Sequence, residues 1–417
     1  MMPEIRPFRA IRYNQEKIPD LTQVVTQPYD KINPDLQDRY YRRSPYSYVR
    51  LILGKIEPSD DDRNNRYTRA KKTFEDWCKG RVLIQDPEPG LYPYHQEFQI
   101  GDKTYLRRGF IGILRLEEFG GKILPHERTL SKPKEDRLKL LQTTMKNFET
   151  VFMLYTDPEH KVSSLLDPED SPPLIEAKDD FNFSHRLWKV TDPEIIRAVQ
   201  AVFADSTLFV ADGHHRYETS LNLMKEIGGE GPHSFRQITF VDIEDPGLII
   251  LPTHRLIFNI EFDLERIKAN LSQFFMVQEI DRSGIEARLK GRHRFILPTR
   301  DSTLLLELKD EKVMDRILPD RSEVYRRLDV TILHSLVIEK TLGVNPERIE
   351  DHVRYAREIE KVLSSIDSEE FQIGLLLNPT TAEEVKAVAS VNERMPQKST
   401  DFFPKMISGL TIYDLAS

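Results

Sequence analysis

Thr207-Leu208-Phe209-Val210-Ala211-Asp212-Gly213-His214-His215-Arg216-Tyr217-Glu218-Thr219 is the stretch on which the reading of this chain turns. Leu208 to Ala211 is an apolar run of strand length, stopped by the turn dipeptide Asp212-Gly213. Beyond it Tyr217, Leu221, Met224 and Ile227 recur at helical spacing, and Gly228-Gly229 closes the segment. The pattern predicts strand, tight turn, helix, with Asp212, His214, His215 and Arg216 crowded at the junction. A helix start presents unpaired N–H groups and partial positive charge, which favours an anion. Arg216 adds a planar fork of donors suited to phosphate, and two imidazoles add donors whose protonation a phosphate would promote. Gly213, His214, His215 and Arg216, with Thr219 a turn further on, therefore read as a phosphate cradle.

Bulk properties narrow the setting. A chain of 417 residues is too long for one ordinary core. With 39% hydrophobic and 31% charged residues it reads as globular, not disordered. No apolar run approaches membrane-spanning length, and Met1-Met2-Pro3-Glu4-Ile5-Arg6 has no signal-peptide pattern. The single cysteine, Cys78, allows no internal disulfide; it reads as a packing residue and fits a reducing cytoplasm. The net charge of −8 argues against a general nucleic-acid binder.

Strand and helix patterns interleave along the chain, which predicts an α/β or α+β fold with mixed sheets. Three segments are expected: an N-terminal α/β segment over 1–105, a central core over 106–255 and a C-terminal α/β domain over 256–417. A charged helix is expected around 62–78 and a strand at 93–100, with Tyr94, Gln96, Phe98 and Ile100 on one face. Asp157 to Pro173 reads as a surface loop, and Asp192-Pro193-Glu194 opens a helix. In the last third, strands are expected at 248–252, 256–260, 294–298, 302–308 and 372–377. Helices are expected at 264–275, 330–342 and 382–390, the last with a capping box between Thr381 and Glu384.

Upstream of the key turn lies Pro125-His126-Glu127, followed by a helix start at Ser131-Lys132-Pro133 and a strand from Val151 to Tyr155. In this order the Asp-Gly-His-His-Arg turn resembles the nucleotide-binding motif of the ParB/sulfiredoxin-like superfamily. Pro125-His126-Glu127 adds a likeness to its free-serine kinases, which phosphorylate L-serine with ADP or ATP. That resemblance covers about 106–230. It implies Glu127 as base, Asp212 as a second catalytic group or Mg²⁺ ligand through the nucleotide, and the turn as phosphate grip.

Across its whole length the chain resembles DUF1015, a bacterial and archaeal family of unknown function. The segments that carry this are Arg6-Pro7-Phe8, Gln27-Pro28-Tyr29-Asp30, Pro125-His126-Glu127, Asp212 to Tyr217, Leu251-Pro252-Thr253-His254-Arg255 and Met395-Pro396-Gln397-Lys398-Ser399-Thr400. One departure stands out: Ser44-Pro45-Tyr46-Ser47 occupies the place of the family's Asn-Pro-x-Asn.

The implied chemistry is consistent. Phosphoryl transfer to a hydroxyl needs charge neutralisation, in-line positioning and a proton acceptor. Glu127 would serve as acceptor. Mg²⁺ prefers one or two carboxylates plus substrate phosphates, which suits Asp212. His126, His254, Arg255 and Lys398 are the candidate substrate contacts; Lys398 follows no Gly-rich stretch and is not part of a P-loop. No zinc site is expected, since Leu130 stands where a second zincin histidine would be. The leading expectation is thus a kinase for a small hydroxylated metabolite, with ATP or ADP and Mg²⁺ as cofactors. The alternative is a nucleotide-binding regulatory protein, or a DNA- or partner-binding protein, without turnover. A sulfinic-acid reductase is set aside because that chemistry uses a cysteine where this chain has His214. A homo-oligomer stays open.

Overall fold

The computed structural model describes residues 2–126, 131–168, 171–204 and 206–416, and gives no account of the side chains of 131–134. The chain divides into two compact units. The first holds residues 1–125, 129–249 and 404–417, and the second holds 126–128 and 250–403. The three-segment division expected from the sequence differs. Its boundary at 105/106 falls inside the strand Lys103–Arg115, and its boundary at 255/256 inside the strand His254–Ile257.

The first unit is built on a nine-stranded mixed sheet. Its strands are β1 (Ile5–Arg6), β2 (Tyr92–Ile100), β3 (Lys103–Arg115), β4 (Ile123–Pro125), β5 (Val151–Tyr155), β6 (Ile175–Lys178), β7 (Ser184–Leu187), β8 (Leu208–Asp212) and β9 (Phe235–Asp242). The order is β4-β8-β5-β9-β3-β2-β7-β6, with β1 beside β3. The pairs β4–β8 and β5–β9 are parallel and the remaining pairs antiparallel. Strands β5 and β9 are buried along their full length, as central strands of a covered sheet are; β5 runs apolar without alternation, while β9 also buries Arg236, Gln237, Thr239 and Asp242.

Three helices matter for the site: α1 (Ser131–Thr144), α2 (Pro193–Ala204) and α3 (His214–Ile227). Asp192 accepts from the Glu194 amide at 2.8 Å, so α2 starts where the Asp-Pro-Glu pattern places it. Its Phe203 meets Phe110 and Phe240 at ring distances of 5.7 and 5.2 Å on one sheet face. Ile111 and Ile113, one residue out of phase with Phe110, join a second core that contains Tyr92, Tyr94, Leu140 and Phe148.

The second unit centres on a six-stranded antiparallel sheet. It comprises β10 (His254–Ile257), β11 (Phe275–Glu279), β12 (Arg294–Pro298), β13 (Thr303–Leu308), β14 (Val353–Ala356) and β15 (Ile373–Leu377), in the order β11-β13-β12-β15-β10-β14. A helix at Ala382–Ser390 carries the expected Thr381–Glu384 box.

Several local expectations shift. The segment 157–173 contains a helix, Lys161–Leu165, because Val162 and Leu166 are needed to cover the Phe110 side of the sheet. The helix expected at 264–275 stops at Leu271, and Phe275 begins β11 instead. The strand expected at 256–260 starts earlier, at His254. The helix at 330–342 winds as a π-helix over Leu333–Thr341. Ile227, expected on the buried face of α3, is 45% exposed in its last turn. Among the described residues no helix is long and apolar enough to cross a membrane.

Candidate functional site

The strand–turn–helix at 208–227 forms as expected, and its geometry follows from three local features. β8 pairs with β5 through Val210–Met153 and then Asp212–Phe152, so Ala211 is an extra residue in the ladder. Such a bulge bends a strand and re-aims the side chains that follow it. Gly213 then takes φ +88°, the left-handed region that glycine enters at least cost. The 14-residue helix α3 begins at His214 with no side chain capping its start.

Asp212 and Arg216, one helical turn apart, form an ion pair of 2.7 Å. The second Asp212 oxygen accepts from Lys405 at 3.3 Å. Burial alone would raise the Asp212 pKa, but Lys405, Arg216 and Lys31 together hold it below the usual carboxylate range. Asp212 therefore stays ionised. Arg216 is 8% exposed and spends its donors inside the protein, on Asp212 and on the Thr150 carbonyl at 2.7 Å. Expected as a phosphate ligand, its guanidinium instead ties α3 to the start of β5.

Gly213 is also required by volume. A Cβ there would lie 2.9 Å from the Arg216 Nε. Gly213→Ala is expected to cost about 1–2 kcal/mol through the left-handed backbone alone, and to displace the guanidinium as well. Urea titration of the variant checks this; unchanged stability would contradict it.

Glu149 was not foreseen. Its Oε1 accepts from the Tyr29 amide at 3.1 Å and from the Ser408 hydroxyl at 3.0 Å, and lies 4.0 Å from Arg216. The Arg137 guanidinium sits 4.0 Å above the Tyr29 ring. Gln27-Pro28-Tyr29-Asp30 thus reaches the Arg216 side of the turn, and the signal for it was the quoted segment itself. His214 is buried and His215 half-buried at the start of α3. Thr219, expected near the nucleotide, is 2% exposed and its hydroxyl donates to the Arg216 carbonyl at 3.0 Å. It braces the helix.

The substrate-contact candidates all lie in the second unit. His126 is fully buried; its carbonyl accepts from the Met395 amide at 2.7 Å and its Nε2 lies 2.7 Å from the Thr400 hydroxyl. His126 is therefore fastened to the Met395–Thr400 segment at both its backbone and its ring. Lys398 sits at φ +57°, and its carbonyl accepts from Arg255 at 3.2 Å. His254 and Arg255, expected as substrate contacts, are each 1% exposed. The His254 Nδ1 accepts from the Leu377 amide at 3.4 Å, while burial and then Arg255 pull its pKa to about 4. Arg255 also donates to the Thr253 carbonyl and to His334. Both are interior residues: the Thr253 and Lys398 carbonyls receive Arg255 and the Leu377 amide meets the His254 Nδ1, while the buried His254 Nε2 reaches no hydrogen-bond partner. Glu127 lies outside the described residues.

Fold and site together define a mixed α/β protein with a strand–glycine turn–helix junction at the end of a sheet strand. Residues 5–331 match the family described as "Protein of unknown function (DUF1015)", and the chain belongs to that family. No curated protein matches it significantly. Solved structures that resemble it include a free serine kinase in complex with AMP, 13% identical over 70% of this chain and 88% of that one, with a TM-score of 0.36. A variant of free serine kinase in complex with ADP is 12% identical over 70% and 88%, TM-score 0.38. A conserved hypothetical protein from Pyrococcus furiosus is 14% identical over 70% and 91%, TM-score 0.36.

Proposed function

We propose that the protein is a nucleotide-dependent kinase with a core of the ParB/sulfiredoxin-like kind, acting on a small hydroxylated metabolite, with free L-serine the first acceptor to try. One observation carries this reading: a left-handed glycine delivers the chain into a long helix whose start no side chain caps, beside an ionised Asp212 that holds Lys405 and Arg216. Helix-start amides grip phosphate oxygens, and nearby cations neutralise charge as the phosphoryl group moves.

In this reading the amides and imidazoles of His214 and His215 hold the donor phosphates of ATP or ADP, and Lys405 supplies the mobile positive charge. Asp212 and Arg216 act as positioning residues. Glu127 takes the proton of the attacking hydroxyl, and Lys398 and the His126 loop contact the acceptor. Mg²⁺ is a poorer fit to the residues present. Both Asp212 oxygens already face cations, and the described residues contain no group of three or more His, Cys, Asp or Glu side chains able to hold a metal. A divalent ion would arrive on the nucleotide rather than in a protein-built cage, and no step here is routed through it.

The test is to incubate the protein with ATP or ADP, Mg²⁺ and a panel of hydroxylated metabolites that includes L-serine. A phosphorylated product, O-phosphoserine for the first acceptor, is expected. A panel without product ends the kinase reading. Nucleotide binding without product would establish the second reading, a nucleotide-binding regulatory protein, which the engagement of both Asp212 oxygens by cations favours.

A further inference from the structure

The sheet of the first unit carries a second concavity, at the other end of β5 from the turn. Asp212 pairs beside Phe152, and Tyr155 stands roughly 10 Å further along the strand at about 3.3 Å per residue. There a cavity of about 300 Å³ opens over Phe110 and Tyr155, at the lower end of the range of ordinary small-molecule sites. Its charged lining is acidic, with Asp167, Asp242 and Asp245 set against Arg108. His95 adds no charge near neutral pH, because burial and then Arg108 pull its pKa to about 4. His160 lies 3.0 Å from Asp242 and balances it only when protonated. Asp242 and Asp245 begin and end one turn, closed by the Asp245 amide donating to the Asp242 carbonyl at 3.1 Å.

Both carboxylates of that turn accept from backbone amides, Asp242 from Glu244 at 3.2 Å and Asp245 from Gly247 at 2.8 Å and Arg108 at 3.3 Å. Neither pairs with a Lys or Arg side chain among the described residues. Burial outweighs the groups around them and holds both above the usual carboxylate value. Tyr155 supplies an independent sign of a ligand. The residue is 2% exposed, and its hydroxyl makes no hydrogen bond with any described residue. Its oxygen is nonetheless not sealed off, and it opens where the cavity begins. A polar atom held this way lacks a partner that a ligand would bring. We propose that this cavity binds a small organic ammonium compound, its NH₃⁺ group donating to the Asp242 and Asp245 carboxylates and to the Tyr155 hydroxyl oxygen. An ammonium has three donors and no acceptor, which matches three oxygens, and its charge returns what burial takes from the acids. Among the described residues no group of three or more His, Cys, Asp or Glu side chains is able to hold a metal, so an organic cation fits where a metal ion does not. The Phe110 ring, Val162 and Leu166 offer apolar surface to the carbon skeleton.

The experiment is equilibrium titration of the full chain with putrescine and with L-alanine, against 1,4-butanediol and propionate as partners of similar skeleton without the ammonium. Neither ammonium probe carries a hydroxyl, so neither is an acceptor for the kinase proposed above, and the result stands apart from that reading. Saturable binding of an ammonium probe and none of its control is expected. Putrescine alone would point to a free amine; L-alanine as well would point to an amino acid whose carboxylate Arg108 receives. Asp245→Asn is expected to weaken binding about 10-fold. Tyr155→Phe is expected to weaken it about 5-fold without lowering the unfolding midpoint, since the hydroxyl it removes has no protein partner. No saturable binding of either ammonium probe, equal binding of the controls, or undiminished binding in both variants would each overturn the proposal.

Discussion

Asp212→Ala is expected to lower the unfolding free energy by about 2–4 kcal/mol and to abolish phosphoryl transfer. The size follows from what is left behind. Arg216 is almost wholly buried, and what would remain to it is the uncharged Thr150 carbonyl and the Glu149 carboxylate at 4.0 Å, which Arg137 also approaches at 3.8 Å. Removing one partner of a buried pair costs more than the pair contributes, because the other charge stays desolvated; the upper end is trimmed because Asp212 is 27% exposed. The pH dependence has a defined sign. The folded-state pKa of Asp212 is depressed, so its contribution is present above the ordinary carboxylate range near about 4 and fades as pH falls toward the depressed value. Chemical denaturation from pH 7 down to pH 3 should show the wild type losing its margin over the variant. Parallel curves across that range would remove Asp212 from its assigned role.

Glu127→Ala is expected to behave oppositely, with turnover reduced about 100- to 10,000-fold and the unfolding midpoint unchanged. The preceding residue is fixed independently of Glu127, since the His126 carbonyl is tied to Met395 and its ring to Thr400. Removing the carboxylate would thus take away the proposed proton acceptor while His126 keeps both ties. Steady-state rates paired with thermal unfolding check this. A variant with wild-type turnover would leave the proton without its proposed acceptor.

The strand–turn–helix over 208–227 was legible because every signal there is local: an apolar run, a turn dipeptide, a helical repeat and a glycine stop. The destination of Arg216 was not. An arginine four residues after an aspartate suits an internal ion pair as well as it suits a ligand, and the choice depends on Thr150, 66 residues away. Glu149 escaped notice for the same reason, with partners 120 and 259 residues distant in sequence. His254 and Arg255 looked like substrate contacts because polar residues beside an apolar strand normally face water or a ligand. The Lys398 carbonyl, brought in by a segment 143 residues further on, makes an interior arginine tolerable.

Residues 404–417 return to the first unit after the second has been made. The Pro404 carbonyl meets Arg107, Lys405 meets Asp212, Ser408 meets Glu149, and the Thr411 carbonyl meets Gln237. On the ribosome, then, a nascent chain that has emerged only through residue 403 holds every part of the turn except its closing fasteners. The turn is thus fastened by residues far downstream of it, and Lys405→Ala would act on a carboxylate 193 positions upstream.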